Sequence, residues 1–138
     1  MTLPIRGIDH LVLRIRDEKA MLAFYIEALG CELEKRQDEL GLIQLRAGDA
    51  LIDLVPVDGP LGRRGGPAPG REGHNLDHFC LRLAPFDEGA IREHLAVHGI
   101  EAGDTQRRYG AEGYGPSLYL QDPEGNTVEL KGPPEAEA

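Results

Sequence analysis

Apolar and polar residues alternate with a period of two in several short stretches of the chain, and with a helical period in two longer ones. In "IDHLVLRI" (8–15), Leu11, Leu13 and Ile15 fall on one side of an extended strand, and His10, Val12 and Arg14 on the other. "LDHFCLRL" (76–83) repeats the pattern, with Phe79, Leu81 and Leu83 opposing His78, Cys80 and Arg82. Each strand leads into a helical pattern. In 17–30, Asp17 is placed to cap, Met21, Phe24, Tyr25 and Ala28 form an apolar stripe, and Gly30 stops the helix. In 87–99, Asp87 and Gly99 take the same roles. Extended runs follow both helices: "CELEKRQ", "LGLIQLRAG" and "ALIDLVPV" in the first half, "SLYLQD" and "NTVEL" in the second. The last two flank "DPEG" (122–125), a type I turn with Pro at its second position and Gly at its fourth.

The chain therefore reads twice as strand, helix and three strands, an internal repeat of one supersecondary unit. The fold class is α+β. Two βαβββ modules, about 5–57 and 75–131, are expected to form a curved mixed sheet around a concave site, because the face of each module away from its helix must pack or line a cavity. A Gly/Pro-rich connector (58–74) joins the modules. A second glycine-rich stretch, within 103–117, has the composition of a mobile binding loop, expected with the connector at the cavity mouth. The tail, 132–138, is expected to fray.

The leucine side of each repeated strand suits the core, which leaves His10 and Arg14, and His78 and Arg82, on the opposite face. Asp53 in "ALIDLVPV" and Glu129 in "NTVEL" lie among apolar neighbours, where a carboxylate is costly unless paired or coordinated. One histidine and one carboxylate per half make four convergent donors. Two imidazoles and two carboxylates suit one divalent first-row metal, whose charge the carboxylates balance. His94 and His98 also share a helical face, but no third ligand lies nearby and a solvated face explains them. Arg63, Arg64 and Arg71 in the connector fit an exposed solubilising loop better than an anion site. Arg107, Arg108, Tyr109 and Tyr114 in "QRRYGAEGYG" suit a binding loop and a bland surface equally.

The formal charge of −9 argues against a nucleic-acid partner. No apolar run approaches the ~18 residues of a membrane span. The N-terminal "MTLPIRGIDH" lacks the apolar core of a signal peptide, so a cytoplasmic location is the default expectation. Cys31 and Cys80 read as reduced small residues rather than a disulfide framework. There is no nucleophile elbow, phosphate loop or dinucleotide fingerprint.

"IDHLVLRI", "AFYIEALG", "LDHFCLRL" and above all "SLYLQDPEGNTVEL" resemble the vicinal oxygen chelate superfamily. It includes glyoxalase I, bleomycin-resistance proteins, fosfomycin-modifying thiol transferases and extradiol dioxygenases. The resemblance runs from about residue 5 to 131 and implies paired βαβββ modules around a metal. It places the metal ligands on His10, His78 and Glu129, with Asp53 at a fourth position where Glu is usual. It aligns Arg14 with an arginine that contacts the glutathione carboxylate in glyoxalase I, although Arg14 could equally pair with an internal acid such as Asp53. Arg82, Tyr109, Tyr114 and Tyr119 join it as candidate substrate contacts.

The implied activity is a glyoxalase I-like lyase or isomerase that chelates adjacent oxygens of a small substrate through one divalent ion (Zn, Ni, Mn or Fe). Glu129, then Asp53, would move the proton. A fosfomycin-type thiol transferase would need a cationic phosphonate pocket. An Fe(II) extradiol dioxygenase would use His10, His78 and Glu129 as its triad, but such enzymes are usually about twice as long. A metal-free sequestering protein of the bleomycin-resistance type would typically have lost the ligands. A homodimer acting on a small molecule, away from membranes and nucleic acid, completes the expectation.

Overall fold

A computed structural model describes residues 1–136, so the expected tail is described only to residue 136. The chain divides into two compact units, 1–69 and from Gly70 onward. The division falls inside the expected connector, most of which belongs to the first unit.

The first unit runs β1 (His10–Ile15), α1 (Glu18–Leu22), a π-helical continuation (Ala23–Ala28), β2 (Glu32–Gln37), β3 (Leu42–Ala47) and β4 (Ala50–Pro56). The second runs β5 (Phe79–Arg82), α2 (Glu88–Val97), β6 (Gln106–Gly110), β7 (Gly113–Gln121) and β8 (Thr127–Lys131). Each unit closes its own four-stranded mixed sheet, in the orders β1-β4-β3-β2 and β5-β8-β7-β6. β1 and β4 pair parallel, as do β5 and β8, while the remaining pairs are antiparallel. The doubled βαβββ pattern is thus an α+β fold in which one topology is used twice.

Local chemistry sets the element ends. The Asp17 and Asp87 carboxylates accept from Ala20 N and Ala90 N, satisfying an otherwise orphaned donor at each helix start. Gly30 and Gly99 follow the helices with φ of 84° and 71°, the left-handed region that ends a helix cheaply in glycine. In the first unit Leu13, Ile15, Ile43, Leu45, Ile52 and Leu54 are buried together with Met21, Phe24, Tyr25 and Ala28 of the helical segment. In the second, Phe79, Leu118, Leu120, Val128 and Leu130 are buried with Leu95 of α2. These are the faces that alternation assigned to the cores. At the 122–125 turn, buried Asp122 accepts from Glu124 N, Asn126 N and Asn126 Nδ2, fixing the reversal before β8.

Three segments depart from expectation. The glycine-rich stretch is an ordered hairpin, not a loop. Gly110 pairs with Gly113 around a two-residue turn, and Gly113 has φ 115°. The Tyr109 and Tyr114 rings pack edge-on at 5.0 Å across the strands, and the Arg107 guanidinium stacks on Tyr114 at 3.9 Å. The start of the tail is tied to this hairpin: Gly132 N donates to Pro116 O, Glu135 N to Tyr114 O, and Arg107 to the Glu135 carboxylate at 2.9 Å. The connector, finally, carries a 3₁₀ turn (Gly62–Gly65) held by Arg14. The two terminal nitrogens of its guanidinium donate to the carbonyls of Gly62, Gly65, Gly66 and Pro67 at 2.8–3.1 Å. A Cβ on Gly62 would lie 1.9 Å from Pro56 O, and one on Gly65 2.4 Å from Arg14 Nε, so this wrap requires glycine at both positions.

Candidate functional site

Register places the polar residues of each sheet on the face opposite its core. In the first unit, Asp53 on central strand β4 lies opposite Val12 of β1 and Gln44 of β3. In the second, Glu129 on central strand β8 lies opposite Cys80 of β5 and Tyr119 of β7. Each histidine stands two residues before the residue facing its carboxylate, hence on the same face and one strand step away. The same three-strand constellation is therefore built twice: histidine, central carboxylate, and a polar partner on the next strand.

The contacts repeat as well. His10 Nε2 lies 3.9 Å from Asp53 Oδ2, and His78 Nε2 lies 3.3 Å from Glu129 Oε1. Both carboxylates are buried, at 4% and 6% exposure, whereas both imidazoles remain accessible. Asp53 takes weak hydrogen bonds from Gln44 Nε2 at 3.3 and 3.4 Å. Tyr119 stands beside Glu129 in register, and its ring meets the His78 imidazole edge-on at 5.4 Å. On the far side of each ring, Nδ1 faces the preceding aspartate: Asp9 Oδ2 at 2.8 Å from His10 and Asp77 Oδ2 at 2.5 Å from His78.

Titration follows this geometry. The hydrogen bond that His10 Nδ1 donates to Asp9, reinforced by the charge of Asp53, raises the His10 pKa above 6.5. Burial, then the nearby charge of Glu129, raises the Tyr119 phenol. Crowding of the thiol, with the Glu129 charge second, pushes Cys80 up to about 11, so it is protonated at neutral pH.

Arg82 lies on the face of His78 and Glu129, half-exposed, with Glu112 Oε1 at 3.6 Å. Tyr119 shares that face and carries the Arg108 guanidinium over its ring at 4.3 Å. Tyr109 and Tyr114 do not. Their strand positions alternate with Ser117 and Tyr119 and put them on the core-side face, where both are exposed. Arg14 points its guanidinium at the connector carbonyls rather than at Asp53. Asp9, Asp77 and Gln44 carry the site without having been singled out in the sequence. The repeated "DH" was the available signal for the aspartates, whereas Gln44 becomes visible only once β3 is in register with β4.

The donor set suits a divalent metal in one respect that the structure tests. Each Nε2 faces a buried carboxylate while Nδ1 is already engaged by another, so each ring lies between two anions. A cation at Nε2 relieves that arrangement. Taken singly, each unit offers one imidazole and one carboxylate. Among the described residues no group of three or more His, Cys, Asp or Glu side chains that could hold a metal is present.

A four-stranded βαβββ unit used twice is a glyoxalase-like fold. The chain belongs to the Glyoxalase/Bleomycin resistance protein/Dioxygenase superfamily, whose family model matches residues 7–130. It is similar to the catechol-2,3-dioxygenase of Bacillus subtilis (29% identical over 124 residues), covering 89% of this chain but only 40% of that one. It is also similar to virulence protein STM3117 of Salmonella typhimurium, 31% identical over 130 residues, which span 91% of this chain and 83% of that protein. The crystal structure of STM3117 superposes with a TM-score of 0.77 at 25% identity, covering 95% and 99% of the two chains. Lactoylglutathione lyase from Agrobacterium tumefaciens shares the fold, with a TM-score of 0.68, 23% identity and coverage of 94% and 95%. Divalent metals are common in the superfamily. No helix among the described residues is long and apolar enough to cross a membrane.

Proposed function

We propose that the protein is a metal-dependent enzyme of the glyoxalase I-like lyase or isomerase type, acting on a small substrate with adjacent oxygens. His10, Asp53, His78 and Glu129 are the proposed ligands. The pairs come from one chain or, in a homodimer, from two. The supporting observation is the repetition of one histidine–carboxylate pair, with matched register and with Nε2 turned to the carboxylate in both units.

A divalent ion held there would act as a Lewis acid toward the chelated oxygens. The remaining chemistry belongs to the chain. Glu129 is the base of choice: it takes the proton from the hydroxyl-bearing carbon beside the carbonyl and returns it to the former carbonyl carbon, while the hydroxyl proton passes to the former carbonyl oxygen. Tyr119, beside Glu129 in register on the same face, is placed to donate to that carboxylate and steady it. Asp53, with one methylene less than Glu, is the more distant donor and the second candidate for proton transfer. Arg82 is the proposed contact for a polar or anionic substituent, exchanging Glu112 for the substrate. Arg14 is engaged by the connector carbonyls and Tyr109 and Tyr114 by each other in the hairpin, so none of the three is proposed as a substrate contact.

Activity is tested by following loss of the hemithioacetal of methylglyoxal and glutathione with protein reconstituted in turn with zinc, nickel, manganese and ferrous ion. Turnover that a chelator abolishes and Glu129→Gln removes supports the reading. Cleavage of a catechol by the ferrous protein instead would move the assignment to ring-opening dioxygenases.

A further inference from the structure

We infer that Asp9 and Asp77 are positioning residues, which hold His10 and His78 in the tautomer that carries its proton on Nδ1 and leaves the Nε2 lone pair turned toward Asp53 and Glu129. A neutral imidazole has one N–H, and each ring here has a carboxylate at both ends. At His78 the near end is 2.5 Å from Asp77 and the far end 3.3 Å from Glu129. At His10 the distances are 2.8 Å to Asp9 and 3.9 Å to Asp53. In both rings the proton is better placed on the side of the shorter contact, because only that side offers hydrogen-bond geometry with a charged acceptor.

The alternative tautomer would put an N–H between Nε2 and the buried carboxylate, where a cation has to go. Asp9 and Asp77 thus serve less as acceptors in their own right than as the groups that keep Nε2 free. Orientation of a metal-binding imidazole by a carboxylate on its other nitrogen is a general device, and its loss commonly costs 10–100-fold in metal affinity. The same dyad in two units, each with its histidine two residues before the residue that faces the central carboxylate, is the observation that lifts it above a chance surface contact. Both aspartates are nearly fully exposed, at 89% and 96% of the side chain, so no packing role explains them and their removal leaves the core untouched.

The metal arm of the test rests on the proposed function; the tautomer arm does not. Long-range proton–nitrogen correlation spectra of metal-free, ¹⁵N-labelled protein, recorded at alkaline pH, report which ring nitrogen carries the proton. His10→Gln and His78→Gln assign the signals. The expected result is Nδ1–H for both rings, a shift of His78 toward Nε2–H in Asp77→Ala, and recovery of Nδ1–H in Asp77→Asn, whose amide oxygen still accepts. Zinc titration of the same proteins should show a loss of about 10–100-fold for Asp77→Ala. An Nε2–H tautomer in the wild type, no change of tautomer in Asp77→Ala, or equal zinc affinity with and without Asp77 would each overturn the inference. A wild-type protein that binds no zinc and shows no metal in any other form refutes the proposed function, while the tautomer spectra still decide this one.

Discussion

At the residue scale, one carboxylate governs several neighbours. Glu129 lies within reach of His78, Tyr119 and Cys80, and its charge raises the last two after burial has already done so. In a Cys31→Ser background, thiolate absorbance should therefore rise with a midpoint near the value of about 11, and alkylation at pH 7.5 should be slow. Glu129→Gln should move that midpoint down while leaving it above an ordinary thiol, because crowding is the larger cause. His10 gives a second handle. Its folded pKa is raised, so its contribution to stability is complete below the unfolded value of 6.5 and is lost as pH rises through the higher folded value. Urea midpoints of metal-free wild type and Asp9→Asn should differ most just below pH 6.5 and converge at alkaline pH. A difference that grows with pH would contradict the assignment.

At the scale of elements, the alternation of "HLVLRI" and "FCLR", the aspartate caps and the glycine stops were legible because each depends on contacts within a few residues. Asp53 and Glu129 were legible too: a carboxylate in a buried strand stands out whatever its partner. The β6–β7 hairpin was not, since its stability comes from Tyr109, Tyr114 and Arg107 stacking on an exposed surface while its glycines read as loop. Nor was the destination of Arg14, whose four acceptors are backbone carbonyls of a segment with no side-chain pattern. That clamp predicts that Arg14→Ala lowers stability by about 2 kcal/mol, on the scale of hydrogen bonds to a charged group. Amide exchange in residues 62–67 should quicken at the same time. Arg14→Lys should fail to restore it, because one ammonium cannot span the fork that two guanidinium nitrogens cover. Unchanged exchange in both variants would show that the connector holds itself.

At the scale of the whole molecule, one topology and one pair of donors occur twice, and under the proposed function both pairs serve a single divalent ion. Core and donor faces are opposite sides of the same strands, so donors can be removed without unfolding the protein. The most direct measurement is metal content per chain, by elemental analysis after equilibration with zinc and dialysis, for wild type, His78→Ala, His10→Ala and Asp53→Asn. Circular dichroism confirms that each is folded. The account predicts one zinc per chain in the wild type, none in either histidine variant, and a weakened but measurable occupancy in Asp53→Asn, whose shorter side chain makes it the most replaceable donor. Full zinc occupancy in both histidine variants, or a wild type that keeps no zinc, nickel, manganese or iron under the same treatment, would contradict it.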